Sequence, residues 1–312
     1  MTEPASRPGR LGIGIIGAGK VGAVLGAALR NAGHALVGVH AVSEESRTRA
    51  EALLPDVPVL RIPEIVERSE VVLFAVPDDV LEPLVSGLAR GSHFTTGQIL
   101  IHTSGRFGTD VLSAGRDAGT IALAIHPAMT FTGLSLDLTR LQTASFGVTA
   151  AAPFLPIAQA MVVEMGGEPV VIAEGDRPLY HAALAHASNH TVTLIAQASQ
   201  ILESLGVESP GEVLGPLVRA SVDNALASGD SALTGPVVRG DSGTVETHRE
   251  ILQGFGAEES APDIGAAYLA LAEASAYRAH RRGVLPEEAF HRILRALDLE
   301  KAPESESDDH EQ

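Results

Sequence analysis

The stretch "LGIGIIGAGKVGAVLGAALRN", residues 11–31, decides the fold. A short β-branched run leads into Gly17-Ala18-Gly19-Lys20-Val21-Gly22, and an Ala- and Leu-rich segment follows. In a strand-turn-helix unit Gly17 permits the tight turn, Gly19 lets the backbone approach a pyrophosphate, and Gly22 lets the helix pack closely on the strand. The helix N-terminus attracts the anion. We therefore predict a dinucleotide-binding turn; the alternative is a turn with a structural role alone.

Seven short β-branched runs alternate with longer Ala- and Leu-rich segments from Leu11 to about Ala173. The runs are "LGIGIIG", "HALVGVHA", "EVVLFAV", "QILIHTS", "TIALAIH", "TASFGVT" and "EPVVIA". Strands that are buried on both faces read as continuous apolar runs, and helical crossovers between them produce a parallel sheet. We predict an α/β fold over residues 11–174, with a doubly wound and mostly parallel sheet.

The sequence after Gly175 favours helix alone. The segment "RPLYHAALAHASNHTVTLIAQASQILESLG" begins with a proline that suits a first helical turn and ends with a glycine that suits a helix end. Further helix-compatible segments lie at 210–227, 244–254, 264–282 and 286–299. We predict an all-helical domain over residues 175–300, a flexible leader at 1–10 and a disordered acidic tail at 301–312.

Composition and charge exclude several classes of partner and chemistry. The chain has 22 basic and 39 acidic residues, a net charge of -17, which disfavours binding to nucleic acid. It has no cysteine, so any redox chemistry must come from a cofactor. No apolar stretch reaches the roughly 18 residues of a membrane span, and residues 1–10 contain no apolar h-region. We expect a cytoplasmic protein that does not bind membranes.

The end of the second predicted strand bears on the choice of dinucleotide. An Asp or Glu there binds the adenosine ribose and favours NAD, but residues 40–43 are His, Ala, Val and Ser. Ser43 can donate a hydrogen bond to a 2′-phosphate, and Arg47 and Arg49 can supply positive charge. The pattern favours NADP. Two alternatives stay open: Glu44 or Glu45 lies near the ribose, or the arginines belong to a solvated helix face.

Polar residues follow three further strands, at the sheet edge where ligands of such folds bind. "FAVPDD" would place the backbone of Ala75, Val76 and Pro77 beside the nicotinamide ribose, or would only stop a strand and cap a helix. "IHTSGRFG" and "IHPAMTFTG" supply His102, Thr103, Ser104, His126 and Thr130. His126 is a candidate for proton transfer because imidazole titrates near neutral pH. A hydrogen bond to a neighbouring carbonyl is its alternative role.

Two polar groups in the helical segment are candidates for substrate binding. His186, Asn189, His190 and Thr193 share one helix face, which predicts a pocket wall or a buried polar network. We predict no metal site, since His186 and His190 lack a third ligand. Arg239, in "LTGPVVRGDSGT", is suited to an anionic substrate. Asp241 contributes to the same site, neutralises Arg239 or caps the next helix.

The glycine loop, "AVPDD", "HTSG", "HPAMTF", "ASNH" and "GPVVRGD" occur in this order over residues 11–300. In this the chain resembles a bacterial family with a Rossmann-like domain and a C-terminal helical domain of unknown function. That family is similar to deazaflavin-dependent NADP reductases and, more remotely, to ketopantoate reductases, 6-phosphogluconate dehydrogenases and other β-hydroxyacid dehydrogenases. The resemblance implies NADP binding at the glycines, a substrate cleft between the domains and a homodimer through the helices.

The resemblance also implies a substrate-binding role for Asn189. The related dehydrogenases carry a general-acid lysine four residues earlier, where this chain has Ala185. Our leading hypothesis is an NADP-dependent oxidoreductase for a small, anionic carbonyl or imine compound, such as a ketopantoate-like 2-keto acid. His126 or His186 would supply the proton, while Asn189, Ser104 and Arg239 would orient the substrate. The alternatives are a non-catalytic NADP-responsive regulator and a deazaflavin reductase.

Overall fold

A computed structural model describes residues 10–300, which divide into two compact units between Ala187 and Ser188. The predicted leader, apart from Arg10, and the predicted acidic tail lie outside the described residues. We predicted the domain boundary at residue 174. The two units instead meet inside a helix that begins at Arg177, because the first turns of this helix pack on the sheet.

The first unit contains a seven-stranded sheet in the order β2-β1-β3-β4-β5-β6-β7. Each predicted run coincides with one strand, and β5 and β6 extend one residue beyond their runs. All neighbouring strands are parallel except β5 and β6, which run antiparallel. The strands are β1 (Gly12–Ile16), β2 (Ala35–His40), β3 (Val71–Phe74), β4 (Ile99–His102), β5 (Ile121–Pro127), β6 (Ser145–Ala150) and β7 (Glu168–Val171). The prediction of a doubly wound, mostly parallel α/β sheet is confirmed.

Helices cover both faces of this sheet, which is why its central strands are apolar throughout. All four residues of β3 and of β4 are buried. Ile15 and Leu73 belong to the core on one face, and Ile16 and Phe74 to the core on the other. The covering helices are α1 (Lys20–Asn31), α2 (Glu44–Leu53), α3 (Ile62–Arg68), α4 (Asp78–Arg90), α5 (Ser113–Asp117), α6 (Leu136–Leu141) and α7 (Leu155–Glu164).

The remainder of the described chain is helical, as predicted. Gly206, with a φ of 83° that favours glycine, follows the first and longest of these helices. The helices are α8 (Arg177–Ser204), α9 (Pro210–Ser228), α10 (Pro236–Arg239), α11 (Ser242–Glu258), α12 (Pro262–Arg281) and α13 (Glu287–Ala296). Val245, Ala276 and Ile293 lie at the centre of their apolar core. Between residues 10 and 300, no helix combines the length and the apolar character needed to cross a bilayer.

Candidate functional site

The glycine loop connects the carboxyl end of β1 to α1. In the sheet β1 lies between β2 and β3, so the chain crosses first to one side of β1 and later to the other. Gly17 has a φ of 101°, and a Cβ there would lie 2.4 Å from the carbonyl oxygen of Ala75. A Cβ on Gly22 would lie 2.0 Å from the carbonyl oxygen of Gly17. These contacts are with backbone atoms, which cannot move away cheaply. Both glycines are therefore required by the close approach of the loop, β3 and α1.

Gly19 differs from these two glycines because its neighbourhood is empty. A Cβ at this position would meet no protein atom within 4 Å, and its φ of -67° is open to any residue. Gly19 is the N-cap of α1, and no side chain of the described residues caps this helix. The amides of Gly17 and Ala18 already donate to the carbonyl of His40. The uncapped helix start and the open space above Gly19 suit the pyrophosphate of a dinucleotide.

Two basic residues border the loop. Arg49 donates from Nη1 to the carbonyl oxygen of Ala18 at 3.2 Å, and its Nε lies 2.6 Å from where a Cβ on Gly133 would stand. The side chain of Lys20 approaches Gly133 as well, with Cγ at 3.1 Å from the same point. Arg47 is exposed on α2. The structure therefore brings Arg49, rather than Arg47, against the glycine loop.

The end of β2 carries no carboxylate, and its polar residues are engaged locally. His40 contacts the carbonyl of Leu60 through Nδ1 at 3.2 Å. Ser43 is the N-cap of α2 and accepts from the amide of Ser46 at 3.2 Å. Glu44 and Glu45 are exposed in the first turn of α2. Negative charges next to a helix N-terminus stabilise the helix, so these two residues have a structural role that does not depend on contact with a ribose.

The loop after β5 is held in shape by Asp137, which is fully buried at the start of α6. Its carboxylate accepts from the amides of Thr132 and Gly133, each at 2.8 Å, and from the Thr132 hydroxyl at 3.0 Å. Burial alone would raise the pKa of Asp137, but these hydrogen bonds outweigh it and hold the pKa below its usual value. Thr130 is exposed on this loop.

His102, at the end of β4, has a structural role. Its ring is fully buried, and Nδ1 accepts from the amide of Ser104 at 3.2 Å, so Nε2 carries the proton that is donated to the carbonyl of Gly108 at 2.7 Å. Burial lowers its pKa to about 4. The hydroxyl oxygen of Ser104, also buried, accepts from the amide of Phe107 at 3.3 Å, and Thr103 is half-buried beside it.

His126, at the end of β5, contacts the beginning of α8. Its Nδ1 lies 3.0 Å from the hydroxyl of Tyr180, and the two rings meet edge to face at 5.7 Å between centroids. The ring of His181 packs against His126 in the same manner at 6.1 Å. Burial, with added repulsion from the charges of Arg177 and His181, lowers the pKa of His126 to about 4. His126 is therefore a neutral imidazole at physiological pH.

Arg177, in the first turn of α8, is fully buried beneath this cluster. All the acceptors of its guanidinium are neutral: Thr149 Oγ1 at 2.7 Å, and the carbonyls of Ala124 at 2.9 Å, Gly147 at 3.0 Å and Ser104 at 3.4 Å. No carboxylate of the described residues pairs with it. Burial lowers its pKa to about 10. Glu174 favours the charged form of Arg177 from beyond ion-pair distance, so this buried charge is only partly compensated and is costly.

Sequence reasoning missed three residues at this edge: Arg177, Tyr180 and His181. The polar and aromatic character of "RPLYH" directly after the last strand was the signal that could have found them, since it places a cation, a phenol and an imidazole in the first turn of a helix. The sequence did not show that Tyr180 pairs with His126, which lies on a different element.

The predicted substrate residues of the helical segment are at its surface. His186, Asn189 and His190 have exposed side chains on α8, and the hydroxyl of Thr193 donates to the carbonyl of Asn189 at 3.3 Å. Arg239 is exposed at the last residue of α10. Asp241 is the N-cap of α11, accepting from the amide of Thr244 at 3.1 Å. Of the roles proposed for Asp241, the contacts show helix capping.

The helical unit also has a groove of about 450 Å³ between α8, α11 and α12. Its lining is mostly apolar, with a hydrogen bond of 3.1 Å between His248 and Tyr268 and another of 2.7 Å between Gln197 and Asp263. None of its lining residues is a lysine or an arginine, and none belongs to the predicted site. The groove is poorly suited to an anionic substrate, which leaves the sheet edge as the candidate site.

Comparisons with known families agree with this geometry. The profile of a Rossmann-like domain matches residues 1–127, and that of a domain of unknown function, DUF2520, matches residues 144–275. The two matches follow each other along the chain, a Rossmann-like domain and then a DUF2520 domain. The resemblance drawn from the motifs is thereby confirmed. A comparison with curated proteins found no significant match.

Several solved structures share the fold. A protein of Thermotoga maritima is 23% identical over 87% of this chain and 99% of its own, with a TM-score of 0.64. A Bacteroides fragilis protein assigned as an NADP oxidoreductase is 20% identical over 85% and 98%, with a TM-score of 0.71. A reductive aminase from Aspergillus terreus, solved with NADPH and ethyl levulinate, is 16% identical over 91% and 99%, with a TM-score of 0.60.

Proposed function

We propose that this protein is an NADP-dependent oxidoreductase that reduces a small carbonyl or imine compound. The observation that carries the proposal is the glycine loop: Gly17 and Gly22 are fixed by backbone contacts, while Gly19 opens onto empty space at an uncapped helix start. A loop with a structural role alone has no need for the open space at Gly19. The fold neighbours assigned as an NADP oxidoreductase and as a reductive aminase support the same class of activity.

NADP is preferred over NAD in this proposal on electrostatic grounds. The end of β2 has no carboxylate that would repel a 2′-phosphate, and Arg49 and Lys20 provide positive charge beside the loop. The residues that would hold the cofactor are Gly17, Ala18, Gly19, Lys20, Val21, Gly22, Ser43, Arg47, Arg49, Ala75, Val76 and Pro77. When bound, the dinucleotide supplies a hydride, and the protein contributes position and charge.

His126 is the proposed donor to the substrate oxygen or nitrogen. A neutral imidazole can polarise a carbonyl by donating a hydrogen bond, and its low pKa does not prevent this role. Thr103 and Ser104, at the neighbouring strand end, would orient the substrate. Asn189, His186 and Arg239 keep their proposed roles in substrate binding or proton transfer, with Arg239 as the partner of an anionic group and Asp241 behind it.

The second candidate is a non-catalytic NADP-responsive protein, and Ala185 favours it. Related dehydrogenases carry a lysine at this position, and a sensor needs no substitute for it. The two candidates differ in what happens after NADPH binds. Only the reductase oxidises bound NADPH when a substrate is added.

A single-turnover experiment separates the candidates. The purified chain is loaded with one equivalent of NADPH and mixed in a stopped-flow instrument with 2-keto acids, aldehydes and cyclic imines. The reductase predicts loss of the reduced-nicotinamide absorbance with at least one compound class and not with buffer. Binding of NADPH without oxidation by any class would support the sensor instead. A homodimer, proposed from the family resemblance, is checked on the same preparation by light scattering.

A further inference from the structure

The direction of the hydrogen bond between Tyr180 and His126 follows from the chemistry of the two groups. The Tyr180 phenol is half-buried, and burial raises its pKa, while the charge of Arg177 and a backbone hydrogen bond from Gly147 lower it. In a neutral phenol–imidazole pair the hydroxyl is the stronger donor and the ring nitrogen is the stronger acceptor. At 3.0 Å the bond therefore runs from the Tyr180 hydroxyl to His126 Nδ1.

The direction of this hydrogen bond determines the tautomer of His126. An imidazole whose Nδ1 accepts a hydrogen bond carries its proton on Nε2. Nε2 points toward Gly105, where a Cβ would lie 3.0 Å from Nε2 and 2.5 Å from His181 Cδ2. Because residue 105 is glycine, it places no side chain over Nε2, and His181 Cδ2 borders the same space. The neutral ring thus presents one N–H donor at the sheet edge.

We propose that Tyr180 is a positioning residue that acts through His126: its hydroxyl donates to Nδ1 and fixes Nε2–H as the donor to the substrate. This inference rests on the proposed reductase function. Nothing in the family matches assigns a role to Tyr180, and the sequence motifs did not single it out.

The same arrangement can supply the proton of a reduction. In a reduction by bound NADPH, the C=O or C=N π bond would break as the carbon gains the hydride, and the oxygen or nitrogen would take the proton from His126 Nε2. The Tyr180 proton moves to Nδ1, so the imidazole stays neutral and the negative charge remains on the phenol oxygen. Water then returns one proton to Tyr180. The balance is one hydride and one proton added across the double bond.

Arg177 can stabilise the negative charge on the phenol oxygen of Tyr180. Its guanidinium lies 5.8 Å from the centre of the Tyr180 ring and has no carboxylate partner, so its charge is available to stabilise a transient phenolate. The titratable groups that face His126 are His102 on β4 and Arg177, Tyr180 and His181 on α8, while Glu174, before α8, acts on Arg177. Glu174 is engaged by the amides of Thr109 and Asp110.

The test combines NMR with kinetics on the full chain. Imidazole ¹⁵N spectra of wild type, with and without NADP⁺, should show His126 as a single Nε2–H tautomer from pH 6 to pH 8, and Tyr180→Phe should show both tautomers. In the same variant kcat should fall about a hundredfold, the low end of a general-acid contribution, with KM and NADPH affinity unchanged. Tyr277→Phe, which removes a phenol hydroxyl from α12, is the control and should match wild type.

Two results would overturn the inference: a wild-type His126 that is protonated on Nδ1 or charged near neutral pH, or a Tyr180→Phe variant that keeps the wild-type tautomer. Because the spectra require no substrate, they decide the role of Tyr180 even if no compound is reduced. Absence of turnover in wild type, by contrast, would contradict the proposed reductase function.

Discussion

Replacing Gly19 by alanine separates folding from cofactor binding. A Cβ on Gly19 would meet no protein atom within 4 Å, and the φ of -67° is allowed for alanine. We therefore expect Gly19→Ala to fold normally, with a cost of at most about 1 kcal/mol for the poorer N-cap. The added methyl group would instead occupy the space through which a pyrophosphate approaches the α1 amides.

The expected loss of affinity follows from those amides. Displacing the pyrophosphate removes about two charge-assisted hydrogen bonds, each worth about 1.5 kcal/mol, or about 3 kcal/mol in total. This corresponds to roughly a hundredfold increase in Kd for NADPH. Titration calorimetry measures the affinity, and thermal unfolding followed by circular dichroism measures the stability.

The matched control is Gly87→Ala on α4, where a Cβ also meets no atom within 4 Å. This exposed helical position should gain up to about 1 kcal/mol of stability and leave NADPH affinity unchanged. The reasoning would be refuted by a folded Gly19→Ala protein that binds NADPH as tightly as wild type, since the space above Gly19 would then have no relation to the cofactor.

Three further perturbations test other parts of the site. Arg49→Gln should weaken NADPH binding about tenfold, because one charge contact worth about 1.4 kcal/mol is lost, and should change NADH binding little. Arg47→Gln should have the smaller effect. Competitive calorimetry compares the variants, and equal losses for NADPH and NADH would contradict the preference for NADP that we assign to Arg49. The folded-state pKa of His102, about 4, lies below its ordinary 6.5, so its contribution to stability is complete above pH 6.5 and is lost as pH falls toward 4, by up to about 3 kcal/mol. Urea unfolding across this range should show a shallower pH dependence in His102→Asn, and an unchanged slope would count against a buried neutral imidazole. Asp241→Ala should remove the side-chain cap of α11 and lower the melting temperature. A substrate KM that rises with an unchanged melting temperature would show that binding, not capping, is the main role of Asp241.

The sheet was predictable because its physics is local and repetitive. Each strand is an apolar run bounded by turn residues, and the glycine loop marks the first crossover. The long helix from Arg177 was predictable for the same reason, since a proline begins it and a glycine follows it. The reversed direction of β6 was not visible, because parallel and antiparallel neighbours can have the same apolar runs.

The candidate site was predictable only where it depends on backbone. Gly17, Gly19 and Gly22 have positions dictated by a turn. His126 could be proposed from its place after a strand, but its pKa and tautomer depend on Tyr180 and Arg177, which are distant in sequence. Side-chain pairs between separate elements leave no periodic signal, and for this reason the role of His102 as a buried structural donor was also not apparent.

The account is tested most directly by following the hydride itself. The chain is loaded with NADPH deuterated at the transferable C4 position, mixed with the 2-keto acid, aldehyde and cyclic imine panel, and the products are analysed by mass spectrometry. We predict one deuterium on the former carbonyl or imine carbon of at least one product, with a slower single turnover than for unlabelled NADPH. Bound NADPH that transfers deuterium to no compound of the panel would contradict the claim that this protein is a reductase.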